Sequence, residues 1–191
     1  MSFSVQPLHI TGPEDILKVH AIFMRSIDKD SPLNGYVHGC DRRCGECPQC
    51  RRSKERVAGL LTHPASYVHE VWLSSEGTIV DLAGILVLSK VDPGRDATAV
   101  YTFFDGKLRD KTEVLQWWIN WAFTSLALQR LSIEIPSYAF AALRHAKKLG
   151  FGGPFRFQEF AVEGIKAGAL EYGDRQADLI LMGMRHGRTI E

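Results

Sequence analysis

Four cysteines, Cys40, Cys44, Cys47 and Cys50, stand within eleven residues in the run CDRRCGECPQC, and the chain has no others. Their spacing, C-x3-C-x2-C-x2-C, brings four thiolates to one point without any long-range folding, which is how a polypeptide holds a soft or borderline metal. Disulfides between neighbours this close would strain the bridge and close loops too small to stabilise much. The run is therefore expected to bind one metal centre. Zinc in a tetrahedral four-thiolate site is the first choice, and a 4Fe-4S cluster, which also takes four thiolates, is the alternative. Four thiolates around a divalent ion leave net negative charge, and Arg42, Arg43, Arg51, Arg52 and Lys54 flank the run and would offset it. His38 and His63 lie nearby and read as polar surface groups. With all four thiolates engaged no position stays open for a substrate, so the centre is expected to be structural.

Acid–base chemistry needs a carboxylate or a histidine within reach of the reacting proton. Asp105 and Glu134, each at or near a strand end, and Glu70 in a hairpin are the carboxylate candidates. His145 is the histidine candidate, although it shares a basic helix face with Lys147 and Lys148 that reads as solvated.

The elements that must position these groups follow from periodicity and punctuation. Phe3–Ile10 alternates as a strand, and Thr11-Gly12-Pro13-Glu14 reads as a capping box opening a helix. After the cysteine run, Ser53–Leu61 reads as a second helix. Tyr67–Leu73 and Thr78–Leu88 form a hairpin across Ser74-Ser75-Glu76-Gly77, and Thr98–Phe104 is a further strand. A helix is expected from about Asp110 to Leu128, with Trp117, Trp118 and Trp121 in its packing faces. Leu131–Ile135 is a short buried strand. Tyr138–Leu149 is a helix closed by Gly150 and Phe151, and Phe155–Val162 and Asp178–Met184 finish the chain as strands. This order predicts an α/β (α+β) fold: a mixed, mostly antiparallel twisted sheet flanked by helices, with the knuckle inserted between the first two helices.

A chain of 191 residues, 45% apolar, buries one good core, so residues 1–191 are read as a single domain with an inserted knuckle over residues 38–52. The net charge of +1 argues against a general nucleic-acid or membrane-surface binder. No apolar run reaches the length of a membrane span, and the first ten residues carry no basic stretch followed by an apolar one. Reduced thiols at metal spacing suggest a cytoplasmic protein.

The element order resembles the GNAT acyltransferase fold. The segment IEIPSYAFAALRHAKKLGF is similar to the strand and helix ending in Gly-Phe of that family, and EGIKAGALEYGDRQADLILMGM is similar to its closing strands, with Asp178 before the last one. The resemblance spans residues 3–185 apart from the cysteine insert. It implies that the long helix points its N-terminus at the pyrophosphate of acetyl-CoA, where free amides and the helix dipole bind the anion. Arg109, Lys111 and Thr112 then fall at the cofactor loop. The family's glycine-rich R/Q-x-x-G-x-G/A pattern is replaced here by Arg109-Asp110-Lys111-Thr112-Glu113-Val114. Without glycine the backbone approaches a phosphate less closely, and Asp110 and Glu113 place negative charge at the anion site. Acetyl-CoA is accordingly expected to bind weakly or not at all. Aligned on Gly150-Phe151, the family's asparagine and tyrosine positions hold Ala139 and Ala146.

Three functions are compatible with these features. The first is an N-acyltransferase moving an acyl group from acyl-CoA to a small-molecule or protein amine at a splayed strand pair. The second is a GNAT-shaped structural or binding protein without catalysis, such as a bacteriophage virion component, acting through a protein partner or self-assembly. The third is a metal-dependent nucleic-acid module, which rests on the knuckle and its arginines alone. The fold by itself does not choose between them.

Overall fold

The computed structural model describes residues 2–18, 48–75, 78–104, 111–152, 164–172 and 175–186. β1 (Ser2–Pro7) leads to α1, described over residues 13–18. Its cap differs in detail from the expected box: Asp15, not Glu14, reaches back to accept from the Thr11 amide at 3.0 Å and the Thr11 hydroxyl at 2.6 Å. The two hydrogen bonds hold the Asp15 carboxyl below its ordinary pKa. α2 spans Pro48–Thr62, with proline in its first turn where a missing amide costs nothing. β2 (Tyr67–Ser75), β3 (Thr78–Asp92) and β4 (Asp96–Phe103) follow. Then come α3 (Lys111–Ser125), β5 (Arg130–Pro136), α4 (Phe140–Lys148), β6 (Gly164–Tyr172) and β7 (Arg175–Arg185).

The strands form one seven-stranded sheet in the order β1-β2-β3-β4-β5-β7-β6. All neighbours run antiparallel except β4 and β5, the pair joined by α3. β3 reads as a nearly continuous apolar run because both of its faces are covered. Leu86 and Leu88 enter a core with Trp118, Ile119 and Ala122 of α3 and Leu143 and Ala146 of α4. Ile85 and Val87 enter a second core with Val57 and Leu61 of α2 and with Phe104.

Of the three α3 tryptophans, Trp118 is fully buried, Trp121 is partly buried against the core, and Trp117 stands 46% exposed, outside the packing role expected for it. α3 also ends at Ser125, earlier than the apolar spacing suggests. Ala127 takes a left-handed φ of 53° and Leu126 accepts from the Gly94 amide, so the chain turns directly into β5. α4 closes as expected: Gly150 has φ 93°, its amide bonds the Lys147 carbonyl, and the Phe151 amide bonds that of Ala146. The last two strands are β6 and β7. The strand expected at Phe155–Val162 lies outside the described residues, and β6 begins two residues after it.

Among the described residues no helix is long and apolar enough to cross a membrane. The expected insert over residues 38–52 gives way at Pro48 to α2, so Cys50 stands in the first turn of a helix. Cys40, Cys44 and Cys47 lie outside the described residues. Among the described residues no group of three or more histidine, cysteine or acidic side chains is placed to hold a metal.

Candidate active site

The parallel pair opens partway along its length. β4 and β5 pair from Asp96↔Arg130 to Ala99↔Ile133 and no further. Each strand continues on its other side: Val100, Tyr101, Thr102 and Phe103 stay paired to β3, while Glu134, Ile135 and Pro136 stay paired to β7. The sheet thus splays into two halves, and beyond Ala99 the inner edges of β4 and β5 have no strand partner among the described residues.

A cavity of about 440 Å³ lies over this gap, roofed by α2 and floored by β3 and β4, with Glu134, Ala169 and Leu179 along one side. Its volume falls in the range of small-molecule sites. Its floor is three cross-strand pairs, Ser89–Thr98, Val87–Val100 and Ile85–Thr102. The middle row is apolar, and Val57, Leu60 and Leu61 face it from the roof. Two buried hydroxyls in the lining, Ser66 Oγ and Thr102 Oγ1, have no hydrogen-bond partner among the described residues. Buried polar atoms left in this state are uncommon and mark places where water or a ligand completes the set.

Glu134, one of the carboxylates named from the sequence, lines the cavity at the gap. Its Oε1 pairs with Lys166 Nζ at 2.5 Å. Tyr101 is a lining residue whose ring packs on the α3–α4 face of the sheet. The ring lies 6.2 Å from Phe103 and 6.3 Å from His145, the latter edge-on. Burial pushes the Tyr101 phenol far above its ordinary pKa, so the hydroxyl keeps its proton.

On the α3–α4 side the structure brings three other sequence candidates together. Thr112 Oγ1 lies 3.4 Å from His145 Nε2, and Lys111 Nζ sits 5.7 Å over the Phe103 ring. His145 is therefore half-buried against Tyr101 and the start of α3, not on the solvated face the sequence suggested. Asp105 and Arg109 lie outside the described residues. Glu70 is removed from the site: it accepts a hydrogen bond from Trp72 Nε1 at 3.0 Å on β2.

Tyr101, Thr102, Ser66 and Lys166 carry no signal of their own in the sequence. Tyr101 and Thr102 sit in an ordinary alternating strand, and only the loss of pairing to β5 makes them lining residues.

No family model matches the chain, and no curated protein matches it. Solved structures do. The spermidine N-acetyltransferase from Vibrio cholerae, in complex with CoA and spermine, superposes with a TM-score of 0.66 at 12% identity, over 96% of this chain and 95% of that one. A structure described as a putative acetyltransferase superposes with a TM-score of 0.63 at 16% identity, over 96% of this chain and 82% of that one. A chimera of the Vibrio enzyme gives 0.63 at 13% identity, with 97% and 96% covered. The strand order, the β4–α3–β5 crossover and the splay after Ala99 and Ile133 agree with these likenesses: the chain has the GNAT fold.

Proposed function

We propose that the protein is an N-acetyltransferase that moves the acetyl group of acetyl-CoA to a primary amine at the gap between β4 and β5. The observation that carries this reading is the splay itself, with a cavity on one side and the start of α3 on the other. An extended thioester arm can use the unpaired edge of β4 as a strand would, through backbone hydrogen bonds. The amine enters from the cavity and attacks the thioester carbonyl. The new C–N bond forms as the C–S bond breaks. Glu134 takes the proton that the amine nitrogen gives up, and Tyr101 supplies one to the departing thiolate. The ion pair engages Glu134 Oε1 and leaves the second oxygen as the acceptor. The pyrophosphate falls at the start of α3, where Lys111 is available and glycine is not.

That substitution makes the cofactor weakly held. Calorimetric titration with acetyl-CoA is expected to give saturable binding only at high micromolar ligand, tightened by Thr112→Gly combined with Glu113→Gln. Absence of binding up to millimolar ligand would favour the non-catalytic reading, in which the first turn of α3 is closed by Thr112 and His145.

The same reading keeps Cys40, Cys44, Cys47 and Cys50 as ligands of one zinc that takes no part in transfer. Of the four, Cys50 falls within the described residues, in the first turn of α2. Elemental analysis of freshly purified protein is expected to find one zinc per chain, and a metal-free protein would remove this assignment.

A further inference from the structure

We propose that the acceptor is an elongated amine with an apolar body and a far end that is uncharged or anionic, so that polyamines are excluded. This rests on the acetyltransferase reading above and names the acceptor class for that same cavity.

The three rows of the cavity floor order its chemistry. From Thr98 to Thr102 the floor runs about 13 Å at the ordinary strand rise. The gap end, at the Ile85–Thr102 row, holds the unpartnered Thr102 hydroxyl, with Glu134 on the β5 side of the gap. An amine placed there meets a hydroxyl and a carboxylate. The middle is Val87 and Val100 beneath the α2 leucines; Glu134, one residue past the Ala99↔Ile133 pair, stands level with it on the β5 side, so the surface that favours hydrocarbon is the β3–β4 floor and the α2 roof.

The opposite end, at the Ser89–Thr98 row, is different. Lys90 lies beside that row. Its φ of 52°, at the irregularity between Ser89 and Asp92, turns it out of the strand's alternation and into the lining. Ser66, on the residue before β2, adds its unpartnered hydroxyl, and Arg56 lines the cavity from the roof. Across the described lining Glu134 is the only carboxylate, and Lys166 already neutralises it. A second ammonium group would therefore meet the exposed charges of Lys90 and Arg56 with no carboxylate among the described lining residues to receive it, a repulsion that salt weakens. A carboxylate or a methyl at that end meets no such penalty.

The test uses three ligands with one hydrocarbon body: n-octylamine, the corresponding α,ω-diamine and the corresponding ω-aminocarboxylate. Each is titrated into the full-length protein by calorimetry, with and without CoA, which carries no acetyl group to transfer. The diamine is expected to bind about tenfold or more weakly than the monoamine, and the aminocarboxylate at least as tightly as the monoamine. Arg56→Glu combined with Lys90→Glu, both at exposed positions, is expected to bring the diamine up to or past the monoamine. A diamine that binds the unaltered protein as tightly as the monoamine, or an affinity order that the double variant leaves unchanged, would overturn the proposal. Affinity is read without turnover. A protein that ranks the amines as expected but forms no acetylated product contradicts the acetyltransferase reading while leaving this assignment standing.

Discussion

Tyr101 shows how one position acquires a role from its surroundings. Its ring is held by Phe103 and His145 on the α3–α4 face of the sheet, the residue also lines the cavity, and its burial favours the protonated phenol. In the proposed transfer its hydroxyl is the donor to the departing thiolate; burial holds the proton on the phenol and does not itself favour its release. Tyr101→Phe keeps the packing and removes the donor, so kcat is expected to fall by roughly 10²-fold, the low end for a positioned acid. The KM for acetyl-CoA should change little. Steady-state kinetics check this, and an unchanged kcat would remove Tyr101 from the chemistry. Glu134 was named from the sequence as a carboxylate near a strand end, and the structure puts it in the cavity lining; its part in the chemistry is a proposal. Tyr101 was not named, since nothing local in TAVYTFF says where β4 loses its neighbour. His145 was read on the wrong face because the basic residues Lys147 and Lys148 beside it suggested solvent, whereas its ring turns toward Tyr101 and Thr112.

α3 is tied to the sheet through a polar contact in an otherwise apolar core. His69 of β2 is buried, its ring centroid lies 4.5 Å from that of Trp121, and its Nδ1 accepts a hydrogen bond from Trp118 Nε1 at 3.3 Å. That bond requires an unprotonated Nδ1, and burial lowers the His69 pKa below its ordinary 6.5. The neutral ring is therefore the folded form. This contribution to stability is complete above about pH 6.5 and is lost as the pH falls from there through the lowered folded value, because the unfolded chain binds the proton first. The loss is bounded by about 1.4 kcal/mol per pH unit for one proton. Thermal melts between pH 7.5 and 5 are expected to show a falling midpoint, with a shallower slope for His69→Phe. An equal slope in both proteins would assign the acid sensitivity elsewhere. At this scale the sequence was most informative where local chemistry sets the outcome, as at Gly150 and Phe151. It was least informative at the end of α3, where an apolar period runs through Leu126 and Leu128 while Ala127 takes a left-handed φ and the Gln129 and Arg130 amides turn to the Arg95 carbonyl.

The whole molecule is a sheet in two halves, β1–β4 and β5–β7–β6, joined by four paired positions at the foot of β4 and β5. Element order pointed to this arrangement, because one helix between two strands makes a parallel crossover while hairpins make antiparallel pairs. The splay, and with it the cavity under α2, arises from pairing across long sequence separations that no local pattern encodes. The central claim is that this gap carries acetyl transfer to an amine. The most direct measurement is product formation: the protein is incubated with acetyl-CoA at high concentration and n-octylamine, free CoA thiol is followed with time, and the amine is analysed by mass. The account predicts N-acetylated amine in step with released thiol, at a rate that depends on protein and is lowered by Tyr101→Phe. Folded protein that binds both ligands, yet yields no acetylated amine above the uncatalysed background, would contradict it.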